Sequence, residues 1–377
     1  MKWEKKKLCE CTEYITDGDH QPAPKADKGV HFIKIKDIVN NQVSFDAQVY
    51  VPQEYYDNLP MERKPQKEDV LYTVVGSFGI PSYVQTDELF CFERNIALLH
   101  PNKAIEPRFL YYSLKNPAFY KGVEIVANGS AQKLIPLSKL KDLKISVPDK
   151  EAQHRIADIL SVYDNLIENN QKQIKLLEEA AWRLYKEWFV DLRFPGHENT
   201  KIVDGVPEGW SRGLLKELIS VNYGKDHKKA PDDGNIPVYG SGGLMRKCNK
   251  SLFSGEAVLI PRKGSLNNIM YVDETFWTVD TMFYATMKQP HTAVFVYFFV
   301  KAFDMYSMNI GAAVPSMTTK ILDAMDVVIP DKETLEKFDK LTKTYFNKIK
   351  TLQGQNERLK IARDLLLAKL MSGEVEV

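Results

Sequence analysis

The residues that could carry out catalysis do not form a recognisable catalytic motif. The chain has no G-x-x-x-x-G-K-[ST] loop and no G-x-G-x-x-G between a strand and a helix, the patterns with which glycine backbones bind nucleotide phosphates. Its glycine-rich run, Tyr239-Gly-Ser-Gly-Gly243, follows a short strand that contains a proline and leads into no clear helix. Because a glycine cluster alone is a weak phosphate-binding signal, this run is predicted to be a tight turn.

Two other short motifs have both a catalytic and a structural interpretation. Asn116-Pro-Ala-Phe119 is similar to the Asn-Pro-Pro-aromatic tetrapeptide with which amino-methyltransferases hold an extruded base, but it lacks the second proline. The residue before a proline avoids the helical conformation, so this motif is predicted to end the helix that carries FLYYSLK. Two Pro-Asp-Lys-Glu sequences could suggest a nuclease carboxylate cluster. Since each precedes a long helical pattern, Asp149 and Asp331 are predicted to be helix N-caps.

The cysteines and histidines indicate neither a metal site nor a disulfide framework. Cys9, Cys11, Cys91 and Cys248 include no C-x-x-C pair and form no cluster with histidines, so we expect free thiols and neither a metal nor a cofactor in this chain. The N terminus has no apolar signal segment, and the longest apolar run, 293–300, is too short to cross a bilayer. We therefore expect a soluble cytoplasmic protein with no membrane partner.

The remaining chemical signal is a set of basic residues interleaved with turn residues and aromatics. With 51 basic and 50 acidic residues the net charge is only +1, so an anionic partner must be bound by local patches. Lysine and arginine reach phosphates and guanine edges, and neighbouring asparagine and serine side chains can discriminate bases. The candidate DNA-binding residues in the first half of the chain are His20, Lys25, Lys28, Lys34, Lys36, Ser77, Arg94, Asn95 and Lys133. Those in the second half are Lys225, His227, Lys228, Lys229, Tyr239, Ser241, Arg246, Lys247, Arg262, Lys263 and Ser265. Solvated surface charge is the alternative for any single cluster.

The elements that must position these residues occur twice, because the chain is an internal repeat. FLYYSLK at 109–115 recurs as FVYFFVK at 295–301. Asp69-Val-Leu followed by Gly76-Ser77 recurs as Glu256-Ala-Val-Leu followed by Gly264-Ser265, and Val147-Pro-Asp-Lys-Glu151 recurs as Ile329-Pro-Asp-Lys-Glu333. In each copy, short β-rich runs separated by glycine, proline and asparagine turns precede one long helical pattern.

Each copy is predicted to end in a long helix with a coiled-coil seam. After Asp149, apolar residues recur at alternating steps of three and four until Phe194-Pro195. A second stripe follows Asp331, includes Leu341, and has Arg363 as its charged exception. A helix of about 40 residues spans roughly 60 Å, and a stripe of that length needs a partner, for which the other copy is the simplest. The predicted seam residues are Ile156, Leu160, Tyr163, Ile167, Asn170, Ile174, Leu177, Leu184, Trp188, Leu352, Asn356, Leu359, Leu366 and Leu370.

These patterns predict an α+β fold of two mixed α/β globules separated by two long antiparallel coiled-coil helices. Chain order carries the first helix away from the first globule and the second helix back, so we expect the globules at opposite ends of the pair, related by a pseudo-twofold axis. The predicted boundaries are 1–148 for the first globule, 149–192 for the first helix, 193–330 for the second globule, and 331–377 for the second helix and C-terminal tail.

The helical regions resemble the conserved regions of type I restriction-modification specificity subunits. The central region is matched by residues 148–156, 174–178, 184–191 and 194–195, and the distal region by 356–359, 363–367 and 369–374. Residues 236–243 and 257–265 are similar to a common variety of the target-recognition domains of this family. Two departures are Ala368, where a proline is usual, and Glu333-Thr-Leu in place of Glu151-Ala-Gln.

The resemblance implies a non-catalytic subunit in which each globule is a target-recognition domain. Each domain would read one half of a bipartite, asymmetric site in double-stranded DNA, and the helices would set the spacing. The subunit would bind two methyltransferase (modification) subunits, which use S-adenosylmethionine, and through them restriction subunits that use ATP and Mg. The residues alone leave two alternatives: a two-headed protein-binding adaptor without DNA specificity, and an active methyltransferase that uses residues 116–119.

Overall fold

The computed structural model describes residues 3–127, 133–308 and 316–377, which fold as two compact units. Unit 1 comprises Met1–Asn170 and Gln355–Val377, and unit 2 comprises Gln171–Gly354. Each unit therefore holds one globule together with part of each long helix. The boundaries predicted from the sequence divide the chain differently, because they separate each globule from its long helix. They remain a prediction.

The elements of unit 1 are short strands and helices followed by one long helix. The strands are β1 Glu4–Lys7, β2 Thr12–Asp17, β3 Val30–Ile33, β4 Ile38–Val39, β5 Gln42–Val43, β6 Tyr50–Val51, β7 Val70–Thr73, β8 Pro81–Tyr83, β9 Phe90–Phe92, β10 Ile96–Pro101 and β11 Lys144–Val147. The helices are α1 Leu8–Cys11, α2 Gln53–Asp57, α3 Pro107–Lys115, α4 Pro117–Val126, α5 Leu137–Asp142 and α6 Lys150–Tyr185, the last continuing into unit 2.

Unit 2 begins with the C-terminal part of α6, which is followed directly by a π-helical turn at Lys186–Val190. Its strands are β12 Ile202–Val203, β13 Val206–Pro207, β14 Ser211–Leu214, β15 Ile219–Tyr223, β16 Ile236–Gly240, β17 Gly243–Cys248, β18 Phe253–Pro261, β19 Met270–Thr278, β20 Met282–Met287 and β21 Asp326–Ile329. Its helices are α7 Ala293–Lys301, α8 Thr319–Asp323 and α9 Lys332–Ser372, whose C-terminal part belongs to unit 1. Within the described residues, no helix is long and apolar enough to span a membrane.

The two units repeat the same strand pairings, which confirms the predicted internal repeat and the α+β class. In unit 1, β1 pairs antiparallel with β11, β3 pairs parallel with β9, and β2, β10 and β7 are neighbours in one sheet. In unit 2, β14 pairs antiparallel with β21, β16 pairs parallel with β19, and β15, β20 and β18 are neighbours. The repeated apolar segments form α3 and α7, whose side chains are largely buried in the core of their own unit.

The two long helices pack antiparallel within unit 1. The Asn170 Nδ2 donates a hydrogen bond to Asn356 Oδ1 at 2.9 Å, so the two asparagines that interrupt the stripes satisfy each other in the seam. Arg363, the charged exception, forms an ion pair with Asp164 of α6. Of the predicted seam residues in this unit, Ile156, Leu160, Ile167, Asn170, Asn356 and Leu370 are buried, and Tyr163, Leu359 and Leu366 are half-buried.

In unit 2 the seam is largely aromatic. The ring centroid of Trp188 lies 5.8 Å from that of Phe338, and the Tyr185 ring lies 6.4 Å from it. The predicted seam residues Trp188 and Leu352 are buried, and Ile174, Leu177 and Leu184 are half-buried. The predicted stripe is wrong at Leu341, which is 46% exposed, because the buried position is taken by Thr342. The Thr342 hydroxyl can be buried since it donates to the Phe338 carbonyl at 2.8 Å.

Burial gives Lys115 of unit 1 a pH-dependent effect on stability. Its side chain is 12% exposed, and its Nζ lies 3.0 Å from the Tyr111 hydroxyl and 3.6 Å from Asp164 Oδ1. Burial lowers the pKa of Lys115 from 10.5 to about 8, against the attraction of Asp164. Between these two pH values the unfolded chain binds more protons than the folded chain, so the wild-type protein gains stability from this group as the pH rises.

We expect the Lys115→Met variant to lack this pH dependence. The free energy of unfolding of the variant, relative to wild type, should fall by about 2 kcal/mol between pH 7 and pH 10. Urea unfolding at both pH values measures the difference. Lys121→Met, which changes an exposed lysine of α4, is the control, and a Lys115→Met difference that is constant with pH would contradict the prediction.

Candidate nucleic-acid interface

The motifs with a catalytic interpretation serve as helix caps. Asn116 Oδ1 accepts a hydrogen bond from the Ala118 amide at 3.0 Å, and Phe119 is buried, so residues 116–119 join α3 to α4. Asp149 Oδ1 accepts from the Ala152 amide at 2.8 Å and so caps α6, and Asp331 caps α9 in the same way. The four cysteines are free thiols. The described part of the chain contains no group of three or more His, Cys, Asp or Glu residues able to hold a metal ion.

The candidate residues of unit 2 gather where several loops meet. We call residues 223–225, 240–245, 262–265 and 279–281 the unit 2 loop cluster. The Arg262 amide donates to the Thr281 carbonyl at 2.8 Å, and Asn268 Nδ2 donates to the Ser241 carbonyl at 2.9 Å. Gly264 has a φ of 85°, and a Cβ there would lie 2.7 Å from the Ser241 hydroxyl. Glycine is therefore required for this close approach of the two loops.

Arg262 is the most precisely positioned cation of the unit 2 loop cluster. Its guanidinium carbon lies 5.5 Å from the centroid of the Tyr223 ring, and its Nη1 lies 3.4 Å from the Asp280 carbonyl. A cation over an aromatic face gains about 0.5–1 kcal/mol at an exposed site, which favours this orientation of the guanidinium. Tyr223 is exposed, as are the neighbouring Lys263 and Ser265. This geometry suits a guanidinium that meets a phosphate or the edge of a guanine.

The polar groups of two predicted DNA-binding residues, Arg246 and Tyr239, are bound to other residues of unit 2. Arg246 donates to the Ala230 carbonyl at 2.7 Å, and also contacts the His227 carbonyl and the Asp232 carboxylate. Tyr239 donates its hydroxyl proton to Glu274 Oε1 at 2.5 Å, and burial together with this bond raises the pKa of Tyr239. Arg246 and Tyr239 thus fix the loops in place, because their polar groups already have partners in the chain.

The other basic candidates of unit 2 lie on the surface around these loops. His227 is half-buried in the short 3-10 helix His227–Lys229, whose N-cap is Asp226. The exposed lysines are Lys225, Lys228, Lys229, Lys247 and Lys263. They supply the positive charge that contact with phosphates requires.

Unit 1 has a corresponding set of loops. We call residues 17–20, 75–78, 93–95 and 133–134 the unit 1 loop cluster. The Gly76 amide donates to the Lys133 carbonyl at 3.1 Å, and the Lys133 Nζ lies 5.6 Å from the centroid of the Phe78 ring. Ser77 and Arg94 are exposed, and Asn95 is half-buried. Unit 1 therefore also presents a cation over an aromatic ring next to exposed polar side chains.

The remaining candidates of unit 1 lie on neighbouring loops. His20 Nε2 lies 3.1 Å from Asp17 Oδ2. Lys34 and Lys36 flank Ile35, whose amide donates to Glu93 Oε1 at 2.8 Å, so both lie close to the unit 1 loop cluster. Lys25 and Lys28 are exposed on the loop that leads into β3.

The same backbone contacts build the two loop clusters. In unit 1, Val75 forms an isolated β-bridge with Leu134, and the Ile135 amide donates to the Val74 carbonyl at 2.9 Å. In unit 2, Lys263 forms the bridge with Ser316, and the Met317 amide donates to the Arg262 carbonyl at 2.9 Å. The repeat in the sequence therefore extends to the loops that carry the candidate residues.

Some residues of the loop clusters were not among the sequence candidates. Phe78 lies beneath Lys133, and Leu244 and Met245 are exposed at the end of the β16–β17 hairpin. The sequence alone could have indicated that Leu244 and Met245 are exposed, because these two apolar residues directly follow a run predicted to be a turn. That prediction of a turn is confirmed, since Ser241 and Gly242 join β16 to β17.

A duplicated scaffold with two long helices and a basic, aromatic loop cluster in each copy is the architecture of a two-headed binding protein, and the basic loops suit an anionic partner such as a nucleic acid. The chain belongs to the family of type I restriction modification DNA specificity domains, whose family model matches residues 1–179 and 207–360. The resemblance found in the helical motifs is thereby confirmed. Specificity subunits of type I systems are non-catalytic, and the partner subunits carry the catalysis.

Individual relatives agree with this family. The chain is 26% identical over 318 residues to the type I restriction enzyme MjaIX specificity subunit of Methanocaldococcus jannaschii, covering 74% of this chain and 71% of the relative. It is 27% identical to a putative type I specificity subunit of Mycoplasma genitalium, covering 82% of each chain. The crystal structure of a type I restriction-modification S subunit from M. genitalium has the same fold, with a TM-score of 0.61 at 20% identity over 98% of this chain and 96% of that one. The protein is a DNA specificity subunit with two domains.

Proposed function

We propose that each unit reads one half of a bipartite, asymmetric site in double-stranded DNA through its loop cluster, while the two long helices set the spacing of the halves. The observation that carries this proposal is the recurrence of the two loop clusters, each built by the same backbone contacts and each with a cation over an aromatic ring. The clusters differ in their exposed side chains, so they would read different sequences.

The proposed function includes partner subunits that carry out the chemistry. Two modification subunits would dock on the helices and supply S-adenosylmethionine, and restriction subunits would supply ATP and Mg. With chromosomal DNA as its substrate, the complex would act in the cytoplasm.

Methylation mapping tests the proposal directly. Single-molecule sequencing of DNA from cells that carry this chain and its modification subunits should show one bipartite methylated sequence with a fixed gap. Exchange of residues 1–148 for the first domain of another specificity subunit should change one half-site only. A change in both half-sites would contradict independent reading by the two units, and a chain without any salt-dependent affinity for DNA would favour the protein-binding adaptor.

We expect Arg262 and Lys263 to contribute in different ways. Because Tyr223 orients the Arg262 guanidinium for a guanine edge, Arg262→Ala should cost about 1–3 kcal/mol of binding free energy and relax one position of the second half-site. The exposed Lys263 is suited to a phosphate, so Lys263→Ala should weaken binding to all sequences and lower the salt slope by about one.

Fluorescence titrations at several salt concentrations, with the mapped site and a scrambled duplex, measure both effects. Lys216→Ala is the control, because this exposed lysine lies before the start of β15 whereas Tyr223 lies at its end. Wild-type affinity and specificity in both variants would assign Arg262 and Lys263 to ordinary solvated surface charge.

A further inference from the structure

An exposed apolar pair stands at the end of the β16–β17 hairpin in unit 2. Leu244 is 60% exposed and Met245 is 54% exposed. A Cβ placed on Gly242 or Gly243, the residues just before the pair, would meet no atom within 4 Å. The turn therefore extends into open space, and the two apolar side chains follow it directly.

A β-bulge accounts for the exposure of two consecutive side chains. Val238 pairs with Arg246 and Tyr239 pairs with Leu244, so Met245 is the extra residue of the bulged strand. In a regular strand successive side chains point to opposite faces, but a bulge interrupts this alternation and redirects a side chain. Here the bulge leaves both Leu244 and Met245 exposed.

The hairpin is held firmly beneath this pair. Arg246, the next residue, reaches across to the Ala230 carbonyl at 2.7 Å and to the His227 carbonyl. Met245 lies against Gly240, where an added Cβ would come 2.5 Å from the Met245 sulfur. Gly240 thus leaves room for the thioether to lie across the hairpin, and Arg246 fixes the strand from which Leu244 extends.

Positive charge lies close to this pair. Ser241, in the same turn, touches Gly264, which brings the hairpin end next to the exposed Lys263. Exposed apolar side chains next to cations complement duplex DNA, in which phosphates surround a stack of apolar base faces. Leucine and methionine are among the side chains that proteins insert between base pairs, where they replace part of the lost stacking.

We propose that Leu244, supported by Met245, inserts between two base pairs of the half-site that unit 2 reads, and unwinds the duplex at that step. This inference rests on the proposed function, because it requires unit 2 to bind a specific DNA sequence. The insertion would make recognition depend on how easily that base step is unstacked, a property read without a hydrogen bond to a base edge.

The test compares two double variants of the full chain, each purified with its modification subunits. Leu244→Ser/Met245→Ser removes the apolar pair. Ile202→Ser/Val203→Ser is the matched control, since it removes two exposed apolar residues from the β12–β13 hairpin of the same unit. The probes are a closed-circular plasmid that carries the mapped site, relaxed by topoisomerase in the presence of protein, and short duplexes with the mapped or a scrambled site.

We expect wild type and the control variant to unwind the plasmid, and Leu244→Ser/Met245→Ser to lose this unwinding. The latter variant should also bind the mapped duplex about ten- to hundredfold more weakly, while its affinity for the scrambled duplex stays the same. Leu244→Met should retain unwinding, because an apolar side chain of similar size remains. Equal thermal unfolding midpoints of all variants would exclude misfolding as the cause.

Several outcomes would overturn the insertion without affecting the proposed function. Wild-type protein that prefers the mapped duplex but does not unwind it is one, and wild-type unwinding by Leu244→Ser/Met245→Ser is another. A third is loss of the modification subunits from that variant, which would show that the pair docks a protein. If wild type does not distinguish the mapped from the scrambled duplex, the proposed function itself fails.

Discussion

Insertion of one heptad into each long helix should lengthen the unread gap of the DNA site by about three base pairs and leave both half-sites unchanged. Seven helical residues add about 10.5 Å at 1.5 Å each, and duplex DNA rises 3.4 Å per base pair. A heptad also keeps the apolar stripe within about 20° of its original direction, so the seam can reform. The extra heptads are placed within 171–177 of α6 and within 347–353 of α9, both of which belong to unit 2. The hydrogen-bonded pair Asn170–Asn356 of unit 1 therefore stays intact.

Methylation mapping of cells that carry the double insertion measures the gap and both half-sites together. Insertion into only one helix is the control, and it should lower the stability and the methylation activity because the two stripes can no longer pair along their length. Full methylation by the double insertion at the original gap would show that the helices tether the two units without setting the gap.

Replacement of Asp164 by alanine should strongly destabilise unit 1. This carboxylate of α6 pairs with Arg363 of α9, accepts a hydrogen bond from the Tyr112 hydroxyl at 2.8 Å, and lies 3.6 Å from Lys115 Nζ. The side chains of Arg363 and Lys115 are only 11% and 12% exposed, so Asp164→Ala leaves two cations largely out of water without their shared partner. Removal of one member of a buried ion pair costs about 3–5 kcal/mol, and Asp364, which also contacts Arg363, should place the loss near the lower value.

Urea unfolding with hydrogen exchange of peptides from residues 100–170 measures this loss within unit 1. Asp158→Ala is the matched control, because Asp158 lies on α6 like Asp164 and pairs with Arg108 of α3 at 2.8 Å, but its side chain is 65% exposed. An exposed pair of this kind contributes about 0–1 kcal/mol. If the two variants lost the same free energy of unfolding, the network around Asp164 would have no special role in unit 1.

The sequence predicted the features that depend on neighbours close along the chain. The N-caps Asp149 and Asp331, the end of α3 before Pro117 and the turn at Ser241 are each determined by a few consecutive residues. The period of the apolar stripes likewise predicted the long helices, and repeated segments predicted that one fold occurs twice. For the candidate site, the same local patterns predicted basic residues among the turns between β-rich runs, and Arg262 and Lys263 do follow directly after β18.

The tertiary structure decided which of these side chains remain available for binding, and why certain residues depart from the pattern of their segment. Arg246 donates to the carbonyl groups of residues 227 and 230 and so lies against its own unit. Arg363 pairs with Asp164, which is 199 positions away in the sequence. A bulge leaves Leu244 and Met245 exposed. The partners of the two arginines lie too far along the chain to be found from neighbouring residues, and the exposure of Leu244 and Met245 depends on the register of two paired strands. The sequence therefore determined the repeat, the helices and the basic turns through local periodicity and capping, whereas long-range packing alone decided which of these side chains remain exposed in the loops and which are bound within the fold.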